Sequence, residues 1–156
     1  MQASLTEIEA VYRNRGEDFF RFAFARTEDP ELARDAVQEG FAQAIRGRRN
    51  FHASGSLEAW IARCVINAAR DVGRKRRREG ALPREPPAEI PEIDGTVRGV
   101  VGALPQRQRD ALFLRHYLDF DYAAIAEALG VEVGTVSATL HAARKSLGTS
   151  LKEAKA

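Results

Sequence analysis

The sequence predicts an all-α chain of two small helical domains joined by a Pro- and acid-rich linker, the C-terminal domain carrying a helix-turn-helix. Two observations lead there. Apolar residues recur at three- and four-residue steps on both sides of one short stretch, with no competing strand signal. That stretch holds Pro83, Pro86, Pro87 and Pro91, four of the six prolines, among Glu85, Glu89, Glu92 and Asp94. Proline removes backbone donors and clustered charge resists burial, so residues 80–95 read as an extended linker between domains 1–79 and 96–156. The alternative is one long loop inside a single domain, but loops of that length are uncommon in compact folds.

In the first domain, Leu5, Ile8, Val11 and Tyr12 fit an opening helix. Phe19, Phe20, Phe22 and Phe24 follow, too aromatic a stretch for a surface. Asp29-Pro30 is a helix start, the aspartate as cap and the proline in the first turn. From there Ala33, Ala36, Val37, Gly40, Phe41, Ala44 and Ile45 form a core-facing stripe, and Asp35, Gln38 and Glu39 fall outward. Ser54-Gly55-Ser56 breaks the chain, and Ser56 caps a further helix. Its apolar stripe is Leu57, Trp60, Ile61, Cys64, Val65 and Ala68, so core packing is the reading for Trp60. Arg63, Asn67, Arg70 and Arg74 share a different face, which runs into the basic residues 74–78.

The second domain begins with Val97, Val100, Val101 and Leu104 on one short helix. Pro105 opens another, running to about Leu118 with Ala111, Leu114 and Leu118 inward. Asp121 caps a third with Ile125, Ala126 and Leu129 buried, and Gly130 supplies its left-handed stop. Thr135 is expected to cap the last helix, which carries Val136, Leu140, Ala143 and Leu147.

Composition narrows the function. Of 156 residues, 44% are hydrophobic and 29% charged, as in ordinary globular proteins. The formal net charge of +2 conceals a basic cluster over residues 70–78, and local clusters matter most to a polyanion because fields are short-ranged in salt. The lone Cys64 has no internal disulfide partner, residues 1–10 do not read as a signal peptide, and no apolar run is long enough for membrane insertion. The expected location is the cytoplasm. The three histidines, His52, His116 and His141, show no ligand spacing, and neither a phosphate-cradling glycine loop nor a nucleophile motif is present. No catalytic residue, metal site or cofactor is expected, and the chain is read as no enzyme.

Two segments point to nucleic acid. Residues 121–147 read as helix, tight turn, helix, with small residues Ala126 and Gly130 at the crossing. In a DNA-binding motif of this kind the second helix enters the major groove. The basic run 74–78 reads by itself as a solvated helix end or as a phosphate contact; beside Arg63, Asn67 and Arg70, phosphate contact is favoured. A plain regulator with a helix-turn-helix accounts for the second half but leaves the Val37-Gln38-Glu39 helix and the basic helix unexplained.

The residues also resemble a known family over nearly the whole chain except the linker. Residues 29–41 (Asp29-Pro30-Glu31-Leu32-Ala33-Arg34-Asp35-Ala36-Val37-Gln38-Glu39-Gly40-Phe41) look like the signature of sigma domain 2. Residues 51–56, then 57–63, Asn67-Ala68-Ala69-Arg70-Asp71 and the basic tail continue it. Leu104-Pro105-Gln106-Arg107-Gln108-Arg109, residues 122–130 and Val133-Gly134-Thr135-Val136 look like sigma domain 4. Together they resemble the extracytoplasmic-function (ECF) group of bacterial RNA polymerase sigma factors.

That resemblance implies a factor that binds core RNA polymerase and promoter DNA, and that is held by an anti-sigma factor. It implies polymerase contact through Asp35, Gln38, Glu39 and Phe41. It implies recognition of the melted minus-ten element through Phe51, Ser54, Ser56, Arg63, Asn67, Arg70, Arg74, Lys75, Arg76 and Arg77. It implies reading of the minus-thirty-five element through Thr135, Ser137, Thr139, His141, Arg144 and Lys145. Here the chain departs from the family. Relatives place Lys or Arg at several outward positions of the last helix, whereas this chain has Val136-Ser137-Ala138-Thr139-Leu140-His141-Ala142-Ala143-Arg144. Weak duplex binding by the second domain alone is expected, with avidity supplying the difference.

Overall fold

A computed structural model describes residues 2–52, 55–80 and 95–155. Among the described residues all regular structure is helical, and the chain divides into two compact units, Met1–Pro87 and Ala88–Ala156.

The first unit is a bundle of three helices: α1 (Leu5–Thr27), α2 (Pro30–Gly47) and α3 (Leu57–Arg78). The expected opening helix and the phenylalanine stretch are one continuous α1. Ser4 starts it with a reciprocal cap, its hydroxyl accepting from the Glu7 N–H while the Glu7 carboxylate accepts from the Ser4 N–H. It ends at Glu28 in the left-handed conformation. Asp29 caps α2 by accepting from the N–H groups of Glu31 and Leu32 at 2.8 and 3.1 Å. Ser56 caps α3 through the Ala59 N–H at 3.2 Å. Between α2 and α3 the chain makes a single 3-10 turn, Arg48–Asn50.

The core of this unit holds Ile8, Phe19, Phe22, Ala36, Phe41, Ile61, Val65 and Ile66. Phe41 takes the edge of Tyr12 at 5.1 Å and of Phe19 at 5.8 Å between ring centroids. Three residues expected inside are exposed instead: Leu5 and Tyr12, each at 53%, and Ile45 at 40%. All three sit at the margin of their stripes, where a three-helix bundle has no fourth element to cover them.

The second unit packs α4 (Gly95–Gly102), α5 (Gln106–His116) and α6 (Tyr122–Leu129) against the long α7 (Val133–Lys155). Leu104, Ala111, Leu114, Leu118, Phe120, Ile125, Ala128, Val136, Leu140 and Ala143 are buried. Leu129, expected inside, is only half-buried, and Ala128 takes the inward position. Asp121 caps α6 through the Ala124 N–H at 2.7 Å. Gly130 ends it at φ 69°, with its N–H and that of Val131 returning to the last carbonyls of α6. Thr135 is not the cap of α7. The helix starts at Val133, and the Glu132 carbonyl accepts from the N–H groups of Thr135 and Val136, which puts Thr135 inside the first turn. No single described helix is long and apolar enough to cross a membrane.

Candidate nucleic-acid and polymerase interfaces

On α2, Asp35, Gln38 and Glu39 are all exposed, because the core-facing stripe occupies the opposite side. Glu39 accepts from Arg46 at 2.8 Å and from Gln43, and these bonds hold its carboxyl below the usual range. Asp35 and Gln38 are the less encumbered pair. Gln38 also borders a shallow groove of about 400 Å³ between α1 and α2, lined by Tyr12, Gly16, Phe20 and Val37 among others.

On α3, Arg63, Asn67, Arg70 and Arg74 are exposed along one stripe, with Lys75 and Arg77 exposed beyond it. The spacing of four, three and four residues keeps these side chains on one helical face. Arg74 bonds Asp71 at 2.7 Å, but both are well exposed, so the pair opens readily to a competing phosphate. At the start of α3, the Phe51 ring lies 5.6 Å from that of Trp60. Trp60 is half-buried, packed against Phe51 and the end of α2 rather than enclosed in the core. Ser54 lies outside the described residues.

In the second unit, α6 and α7 turn by 98° across residues 130–132, the geometry of a helix-turn-helix. Thr135, Ser137, Ala138, His141, Arg144 and Lys145 are exposed on α7. Residues 133–143 carry no formally charged side chain, so the cations begin at Arg144. The motif is braced from α5: Arg115 donates to the Phe120 carbonyl at 3.1 Å and lies over the Tyr122 ring at 5.7 Å. That brace was not readable from local spacing, because it joins a helix end to the turn after it.

Residues 11–79 match the family described as Sigma-70 region 2, and residues 95–147 match Sigma-70, region 4. ECF RNA polymerase sigma factor EcfG of Rhodopseudomonas palustris is 30% identical over 83% of this chain and 77% of its own length. The chain belongs to the ECF group of RNA polymerase sigma factors. ECF RNA polymerase sigma factor SigE of Mycolicibacterium smegmatis is 28% identical over 94% of this chain, which spans 62% of that protein. In fold the chain is similar to the sigma factor RpoE of Bartonella quintana, solved in complex with the anti-sigma factor NepR. The TM-score is 0.75 at 24% identity, over 95% of this chain and 98% of the other.

Two residues expected at the surfaces of this sigma factor are elsewhere. Phe41 is 5% exposed beneath Tyr12 and Phe19, so it packs α2 from inside and is not on a surface open to a partner. Arg76 points back into the unit, paired with the buried carboxylate of Asp29. A third is altered in degree: Thr139 is half-buried and its hydroxyl donates to the Thr135 carbonyl at 2.7 Å. It keeps only acceptor capacity for DNA.

Sequence reasoning missed Asp110, buried at 3% and bonded by the Gln106 side chain at 2.9 Å. Its position beside Ala111, on the inward stripe of α5, was the available signal.

Proposed function

We propose that residues 1–79 bind core RNA polymerase and the minus-ten element, that 80–95 tether them, and that 96–156 read the minus-thirty-five element. The observation that carries this is the pairing, within one three-helix unit, of an acid-and-amide face on α2 with a cationic stripe on α3. Asp35, Gln38 and Glu39 meet the polymerase. Arg63, Arg70, Arg74, Lys75 and Arg77 hold the strand's phosphates, each contact releasing counterions. Asn67, with both donor and acceptor, reads the edge of an extruded base. Unstacking that base costs about a few kcal/mol, offset by capture and by the phosphate contacts. Phe51 and Ser56 frame the entry to this face.

In the second unit, Ser137 and His141 reach base edges, with Thr135, Thr139, Arg144 and Lys145 flanking them. Small side chains suit thymine methyls and single hydrogen bonds better than bidentate readout. The duplex grip is accordingly weak alone and gains from tethering. The chain performs no catalysis of its own, works in the cytoplasm, and is held inactive by an anti-sigma factor, as the Bartonella quintana relative is seen bound to one.

Run-off transcription tests the proposal. Core polymerase plus this chain initiates at discrete start sites on genomic DNA from the source cell, whereas core polymerase alone does not. Absence of any chain-dependent start site overturns it.

A further inference from the structure

The inward stripe of α3 continues through Ala62, Val65, Ala69 and Val72 to Arg76, stepping by three and four residues. The first three are buried, Val72 is half-buried, and the Arg76 side chain is 17% exposed. A guanidinium therefore stands where the bundle would otherwise take an apolar side chain. It is accommodated because the N-cap of α2 lies opposite. Asp29, 1% exposed, accepts at Oδ1 from the N–H groups of Glu31 and Leu32 and at Oδ2 from the Arg76 guanidinium. The neighbours Arg74, Lys75, Arg77 and Arg78 are all exposed.

We infer that Arg76 is a positioning residue and not a phosphate contact: by clasping Asp29 it fixes the last turns of α3 and aims Arg70, Arg74 and Arg77 at the strand. This rests on the reading of the α3 face as nucleic-acid-binding. Two features give the clasp its work. Gly73, with open space where a Cβ would stand, makes this end of α3 prone to fray, and Arg76 lies beyond it. Successive helical residues point about 100° apart, so a small loss of register carries a cation off a phosphate. The clasp also joins the strand-gripping end of α3 to the first turn of α2, the helix that carries Asp35 and Gln38.

The test uses the full chain bound to core polymerase, with a fluorescein-labelled single-stranded oligonucleotide titrated at several salt concentrations. Unfolding of the free chain is followed in parallel through its one tryptophan, Trp60, which reports the first unit alone. Arg74→Gln should flatten the plot of log K against log salt by about 0.7 and leave unfolding unchanged. Arg76→Gln should weaken binding at every salt concentration without flattening the line, and lower the unfolding midpoint. Arg76→Lys keeps the charge a phosphate requires but loses the planar fork, and should behave as Arg76→Gln does. Asp29→Asn should reproduce Arg76→Gln, with the double variant no worse than either single. The inference is overturned if Arg76→Gln flattens the line as Arg74→Gln does, or if Arg76→Lys binds and unfolds like the parent. If Arg74→Gln leaves the line unaltered, the reading of the α3 face fails. The additivity of Asp29→Asn and Arg76→Gln in unfolding still decides whether the clasp exists.

Discussion

Gly40 of α2 lies directly against Val65 of α3: a Cβ added to the glycine would stand 2.6 Å from Val65 Cγ2 and 2.7 Å from its Cα. Backbone meets backbone here, so the obstacle cannot rotate away. Gly40→Ala should destabilise the first unit by about 1–3 kcal/mol, the usual range for overpacking. Gly73→Ala, on α3 with nothing within 4 Å, should instead stabilise it by up to about 1 kcal/mol. Urea unfolding followed by Trp60 fluorescence separates the two signs.

Asp35 and Gln38 make no contribution to the core, and their side chains are exposed. Asp35→Ala combined with Gln38→Ala should weaken capture by core polymerase by about thirtyfold or more, a hot-spot-sized loss. The unfolding midpoint should not move. Equal capture of the variant and the parent would remove these residues from the polymerase surface.

The neutral first turns of α7 can be recharged without touching the core, since Ser137 and Ala138 are both exposed. Ser137→Lys with Ala138→Arg should strengthen duplex binding and steepen its salt dependence by about 0.9 for each phosphate gained. Electrophoretic mobility shift at a series of salt concentrations reads this. An unchanged slope would place the duplex on another face of the second unit.

Burial raises the Asp29 carboxyl, but the Leu32 N–H, the Arg76 guanidinium and the Glu31 N–H together outweigh it and hold the group below its ordinary 3.8. A carboxyl depressed in the folded state stabilises that state fully above its unfolded value and ceases to do so as pH falls through its folded value. The stability difference between the parent and Asp29→Asn should therefore be constant near neutrality and shrink below about pH 3.8. Acid unfolding curves of the two proteins, followed by Trp60, check the sign. A difference that grows with acidification contradicts the clasp geometry.

Much of the fold was legible because its signals are local. Asp29, Ser56 and Asp121 cap helices through N–H groups two or three residues ahead, and Gly130 stops α6 by its own φ. The outward stripe Arg63, Asn67, Arg70 and Arg74 followed from helical periodicity alone, and all four are exposed. Thr135 failed as a cap because Glu132, lacking a typical capping side chain, starts α7 earlier through its carbonyl. Phe41 and Arg76 were misread for a shared reason: the family motif names residue types, while helical spacing places Phe41 on the core-facing stripe of α2 and Arg76 at the end of the inward stripe of α3.

The amino-acid order by itself determined the helices, their division into two units and the membership of those units in the sigma-factor family. These depend on interactions that reach no further than about one helical turn, or on motifs read directly along the chain. Tertiary packing alone decided what the inward cation of the basic run meets. Arg76 meets Asp29 across 47 residues of chain, and that pairing exists only once α1, α2 and α3 have closed around a common core and excluded water from the carboxylate.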